Sequence, residues 1–345
     1  MEFILSLVYI GVVIYIANQD DLRRSMGETS SPQGAALPWM LYGLVAVTVL
    51  FAVMIFYLAF SPDVTAAAME ELGRPSITID RTAASVNLAL AFVLGGLAAQ
   101  AVTTDHARLW IRKVVSSAYN PASSVHTTAF VLALLVVSVV VGQYVQQGGM
   151  EGLAGSLKEE NSLAPGTLLF YAFLQVVIAF LGIGLAIRRA LPQSLERLGL
   201  RVPTGADIRW GIGGALAVFA VSRVIIVIWI ALLSPEQFDE QTRAADQIAQ
   251  MFDTLPLAFI LSISAAVGEE VLFRGALQPV FGWIPTSIFF ALLHNQYTLT
   301  PATIIIFIVA LGFGWLRQRQ STTSAIIAHF FYNFVPLVLQ LLVVP

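Results

Sequence analysis

The chain has 345 residues, 57% of them hydrophobic and 11% charged, with a formal net charge of −3 and no cysteine. A soluble domain carries about 25% charged residues, so a fold solvated by water on every side is excluded. The charge balance gives no footing for a nucleic-acid partner, and the lack of cysteine removes disulfides, thiolate metal ligands and a cysteine nucleophile.

A membrane-crossing helix needs roughly 20 mainly apolar residues. Ten segments meet or approach that length: about 3–18, 37–60, 84–103, 127–146, 166–187, 207–234, 255–281, 285–298, 302–317 and 322–343. The first, eighth and ninth are short, and the eighth is the least able to cross completely. Residues 3–17 have the length of a signal core, but no basic stretch precedes them and no small-residue cleavage site follows, so a retained span is expected. The expected fold is all-α, a polytopic transmembrane bundle of about ten spans. The longest polar connection, at 146–166, divides it into an N-terminal extension of about four spans (1–150) and a six-span core (166–345). The stretch 194–210 is basic and partly amphipathic and is expected along a membrane surface. Alternate loops starting with the first hold twelve Lys and Arg, and the other loops four. That bias puts the first loop in the cytoplasm and both termini outside, provided the span count is even.

A charge at the bilayer centre costs about 2.5–3.5 kcal/mol on insertion scales, so the polar residues inside spans are the informative ones. Most lie after residue 260. The seventh span holds Glu269, Glu270 and Arg274 near its middle. Glu270 and Arg274 are four residues apart and share a helix face, so they can pair. Glu269 is turned about 100° away. Two carboxylates with one cation leave a negative charge to explain, and Glu269 is the one free for chemistry. A purely structural ion network is the plainer reading. The eighth span carries His294, and the tenth carries His329 and Asn333 on one face. Each could be a helix–helix hydrogen bond only. Counted from the expected cytoplasmic ends, the four residues fall roughly 12–20 Å deep, on three helices.

In order along the chain these residues form EExxxR (Glu269 to Arg274), FxxxH (Phe290 to His294) and HxxxN (His329 to Asn333). The pattern resembles the three motifs of the CAAX prenyl protease type 2 and bacteriocin-processing (CPBP, or Abi) intramembrane proteases. FRGALQP after the glutamates and ERLGL upstream fit as well, and the resemblance covers about residues 166–345. It implies that Glu269 is a general base activating water, with His294 assisting. It implies that His329 and Asn333 stabilise the tetrahedral oxyanion, and that Glu270 and Arg274 support the site.

The chemistry is reasonable on its own terms, since peptide hydrolysis needs a base beside the attacking water and donors where oxyanion charge develops. Metal-independent and zinc-dependent routes both remain. The former is favoured, with no cofactor, because no HExxH pair exists; if zinc is used, Glu269, His294 and His329 would hold it. Two readings compete with the peptidase. A proton-coupled transporter would use intramembrane acids, but no internal repeat is seen. A catalytically silent scaffold of the same fold has no need of an unpaired buried acid. The expected partners are the bilayer and a peptide or membrane-protein substrate, prenylated in some branches of the family. The expected setting is a prokaryotic plasma membrane, with the site facing the cytoplasm.

Overall fold

The computed structural model describes residues 2–28, 32–71, 73, 78–147, 164–231, 254–294 and 302–343. Helices account for nearly all of them. The first half comprises α1 (Glu2–Ser25), α2 (Pro32–Phe60), α3 (Pro62–Glu71), α4 (Arg81–Thr103), α5 (Asp105–Val114) and α6 (Ser124–Gln146). The second half begins with α7 (Pro165–Ile183), α8 (Leu191–Leu198) and α9 (Gly205–Ile230). It continues with α10 (Leu255–Glu269), a π-helical segment (Glu270–Leu277), α11 (Gln278–Phe281), α12 (Trp283–Leu293), α13 (Ala302–Arg319) and α14 (Thr322–Val343). The polar connection expected to divide the halves lies mostly outside the described residues.

Seven helical stretches among the described residues are long and apolar enough to cross a membrane: α2, α4, α6, α7, α9, the continuous run Leu255–Phe281, and α14. The three expected spans that are not among these seven are the ones that read as short. Helix α1 carries Asp20, Asp21, Arg23 and Arg24 in its last turns. The 11 residues of α12 rise only about 16 Å, roughly half the hydrocarbon thickness. Helix α13 ends in Arg317 and Arg319.

Local chemistry sets several helix starts. Asp80 accepts from the amide of Ala83 at 2.6 Å ahead of α4, and Thr204 accepts from the amide of Asp207 ahead of α9. Such caps satisfy amides that have no partner within the helix. Large apolar side chains such as Trp39, Val47, Leu50 and Phe51 on α2 point outward, as a surface solvated by lipid requires.

The two halves share a core. Leu37, Leu41, Ala98, Val131 and Leu135 pack together, and Val280 and Phe281 from the end of the Leu255–Phe281 run join them. Phe281 stacks on Tyr119 with centroids 6.3 Å apart. Polar ties repeat the connection: Asn18 Nδ2 donates to the Leu181 carbonyl at 3.0 Å, and Arg188 pairs with Asp21 at 3.2 Å.

A polar knot fixes the start of α14. Asp207 is fully buried and accepts from Arg201, Thr204, Ser321 and Ser324, with the Ser321 bond at 2.6 Å. Thr322 Oγ1 donates to the Leu198 carbonyl at 2.6 Å, fastening α8 to the same end. The helix carrying His329 and Asn333 therefore leaves a rigid base.

Candidate active site

Glu269 is the last residue of α10, and the π-helical segment begins at Glu270. Such wide turns are rare and are frequently found at functional sites. One residue earlier, Gly268 lets α10 lie directly against α7. A Cβ there would sit 2.8 Å from the Ala172 Cα and 2.3 Å from Gln175 Oε1.

The two acids have different surroundings. Glu270 and Arg274 are both completely buried, 3.1 Å apart from Oε2 to Nε. The angle is too poor for a hydrogen bond, so the contact is an ion pair. Arg274 Nη2 donates to the Ala310 carbonyl at 3.2 Å. Its guanidinium lies 4.2 Å from the Phe290 ring centroid, with Phe273 and Phe313 further out. This aromatic enclosure solvates a buried cation in place of water. The other oxygen of Glu270 meets His329 Nδ1 at 2.8 Å. A carboxylate only accepts, so Nδ1 carries the proton and Nε2 is the ring nitrogen left for other work. Phe313 stacks on the same imidazole at 4.9 Å and holds its plane.

Glu269 stays partly open, with 20% of its side chain exposed. Its Oε2 lies 3.8 Å from His294 Nε2 and 4.0 Å from His329 Nε2, and it takes no hydrogen bond from the described residues. His294 caps the end of α12, and its Nδ1 lies 2.8 Å from the Phe290 carbonyl. A carbonyl accepts, so this imidazole also turns Nε2 toward Glu269. Both rings present the same edge to one carboxylate oxygen.

Asn333 follows His329 by one turn on α14 and is partly buried. No hydrogen bond joins it to the other described residues. The structure thus brings His294 and His329 each within 4.0 Å of Glu269 Oε2. Glu270 and Arg274 lie directly behind them, and Asn333 is one turn along.

Neighbouring ligands of a tetrahedral zinc with bonds near 2.1 Å stand roughly 3.4 Å apart. The observed separations of 3.8 and 4.0 Å exceed this, and no set of three His, Asp or Glu side chains among the described residues is arranged to hold a metal. In this arrangement both histidines stand farther from Glu269 than neighbouring ligands of one tetrahedral zinc would.

Other residues at the site gave no signal in the spacing. Gln278 Nε2 donates to the Gly314 carbonyl at 2.8 Å, and Trp283 Nε1 to that of Leu311 at 2.8 Å. Together with Arg274 on Ala310 they pin the π segment and the start of α12 along α13. Arg197 Nη1 and Arg317 Nε donate to the carbonyls of Gly275 and Arg274. Burial, reinforced by Arg189, Arg317 and Arg188, pushes the Arg197 guanidinium down to about 10, so it stays charged at neutral pH.

Fold and site together define an all-α polytopic membrane protein with an acid–histidine cluster among its helices. Residues 251–335, a quarter of the chain and the stretch that carries the cluster, match the family described as type II CAAX prenyl endopeptidase Rce1-like. That family is one of peptidases. Neither the curated proteins nor the solved structures give a match to the chain.

Proposed function

We propose that the chain is an intramembrane endopeptidase in which Glu269 activates water for attack on a peptide bond. One observation carries this reading. Of two adjacent acids, Glu270 is committed to Arg274 and His329, whereas Glu269 is left partly open between two imidazole edges. A water between Glu269 and His294 would donate one hydrogen to the carboxylate and the other to the unprotonated Nε2 of His294. Glu269 takes a proton as the water oxygen adds to the scissile carbonyl, and returns it to the departing amine. His329 donates from Nε2 to the oxyanion as the imidazolium, with Glu270 as the counter-ion that form requires. Asn333 supplies a neutral donor on the same helix face. Arg274 keeps Glu270 charged and in place.

No step uses a metal, in keeping with the spacing of the three ligand-type side chains. The substrate is a peptide or a membrane-protein tail, and a prenylated C-terminal tail is the class the family description names. Residues 166–345 form the protease core and residues 1–150 an N-terminal transmembrane extension. We place the arginine-rich end, where Arg188, Arg197 and Arg317 gather, on the cytoplasmic side of a prokaryotic plasma membrane.

The test is cleavage of a peptide library by purified protein in detergent, with wild type beside Glu269→Ala. Turnover should fall by about 10³-fold or more in the variant, the scale of losing a general base together with the geometry it holds. Equal activity in both would remove the assignment, and no cleavage by either would favour a silent scaffold.

A further inference from the structure

A helical carbonyl accepts from the amide four residues on in an α-helix and five residues on in a π turn. The amide of Gln278 still reaches back five residues, to Phe273, whereas that of Gly282 reaches back four, to Gln278. Pro279 falls where the register changes, and it has no N–H. It stands five residues after Arg274 and four after Gly275, so in either register one of those two carbonyls loses its donor. Both residues are buried, and a buried carbonyl is rarely left unpaired.

Two arginines from elsewhere in the chain close the gap. Arg317, on α13, donates from Nε to the Arg274 carbonyl at 3.3 Å, and Arg197, on α8, donates from Nη1 to the Gly275 carbonyl at 3.1 Å. The approach of α8 depends on the absence of a side chain at Gly275, where a Cβ would lie 3.1 Å from the Leu198 carbonyl oxygen.

We propose that Arg197 and Arg317 are positioning residues for the acid pair, standing in for the amide that Pro279 lacks and so holding the π turn open. The consequence is angular. Restoring a plain α register would rotate one flank of the segment against the other by about 100°. Arg274 and Gln278 are anchored to carbonyls of α13, so the rotation would fall on Glu269 and Glu270 and carry them away from the two imidazoles. Helix α8 thereby bears on the aim of the two acids through the π segment. This inference rests on the peptidase reading above, and its test separates the two.

The full chain in detergent would carry Arg197→Met or Arg317→Met, each also combined with Pro279→Ala, which restores an amide at the gap. Each single arginine variant should lower kcat at least about tenfold with KM unchanged, the scale expected of a sub-ångström to ångström misplacement. Arg197→Lys, which keeps a donor, should lose less. Amide exchange over 270–281 should quicken in the Met variants while that of α2 and α4 stays as in wild type. The kcat loss should shrink in the Pro279→Ala background, a coupling that simple loss of folded protein would not produce. Wild-type kcat and exchange in the Met variants, or a loss that Pro279→Ala leaves untouched, would overturn the proposal. If wild type itself shows no Glu269-dependent cleavage, the peptidase reading fails, and the exchange measurement alone decides the arginine clamp.

Discussion

Removing the Arg274 side chain as Arg274→Met isolates the strongest interaction at the site. The guanidinium and Glu270 are both completely buried, so the variant strands a carboxylate with only His329 beside it. Breaking a buried ion pair from one side costs about 3–5 kcal/mol, because the remaining charge keeps its desolvation penalty. The bond to the Ala310 carbonyl and the cation–π contact with Phe290 go as well. The double variant Glu270→Gln with Arg274→Met removes both charges while keeping an acceptor for His329. Its cost should be only about 1–3 kcal/mol, mostly the unpaired Ala310 carbonyl. The two single effects should therefore exceed the double effect by several kcal/mol. Reversible unfolding in mixed micelles, run as a four-member cycle, reads that coupling. Additive single and double effects, or an Arg274→Met protein as stable as wild type, would show that the pair is not the buried unit described here.

Further outcomes follow from neighbouring residues. Asn333→Ala should abolish turnover while leaving zinc content, measured by atomic absorption, at background in both proteins. A stoichiometric zinc in wild type that is lost in His294→Ala would replace the metal-independent mechanism. Asp207→Ala leaves the buried hydroxyls of Ser321 and Ser324 without their acceptor and the half-exposed Arg201 without its partner. It should cost at least about 2 kcal/mol, since each stranded buried donor costs about 1–3. Retention of the wild-type unfolding midpoint would dismiss the knot at the base of α14.

Much of the site was legible because intramembrane polarity is rare and therefore marked. Glu269, Glu270, Arg274, His294 and His329 each stood out as a charge or imidazole in an apolar run, and helical spacing alone placed Glu270 beside Arg274. The bond from His329 to Glu270 was not legible, because residues 59 positions apart meet only through packing of α14 on the π segment. The sequence-based role for His329, an oxyanion donor, also gave no reason for its proton to sit on Nδ1. Phe290 was legible only as the first residue of FxxxH, and nothing in the sequence set Phe290 and Phe313 around Arg274. Pro279 was the one local signal of an irregular turn, and its meaning needed Arg197 and Arg317 to be seen on the carbonyls it leaves bare.

Composition and apolar run length by themselves determined that the chain is helical and lives in a bilayer, because lipid offers backbone groups no partner outside a helix. They also determined which side chains bear the cost of burial. Only the tertiary structure decided which acid is neutralised and which is left open. Those outcomes depend on the angle and depth at which separate helices meet. A one-dimensional pattern leaves both undefined once the helix departs from 3.6 residues per turn.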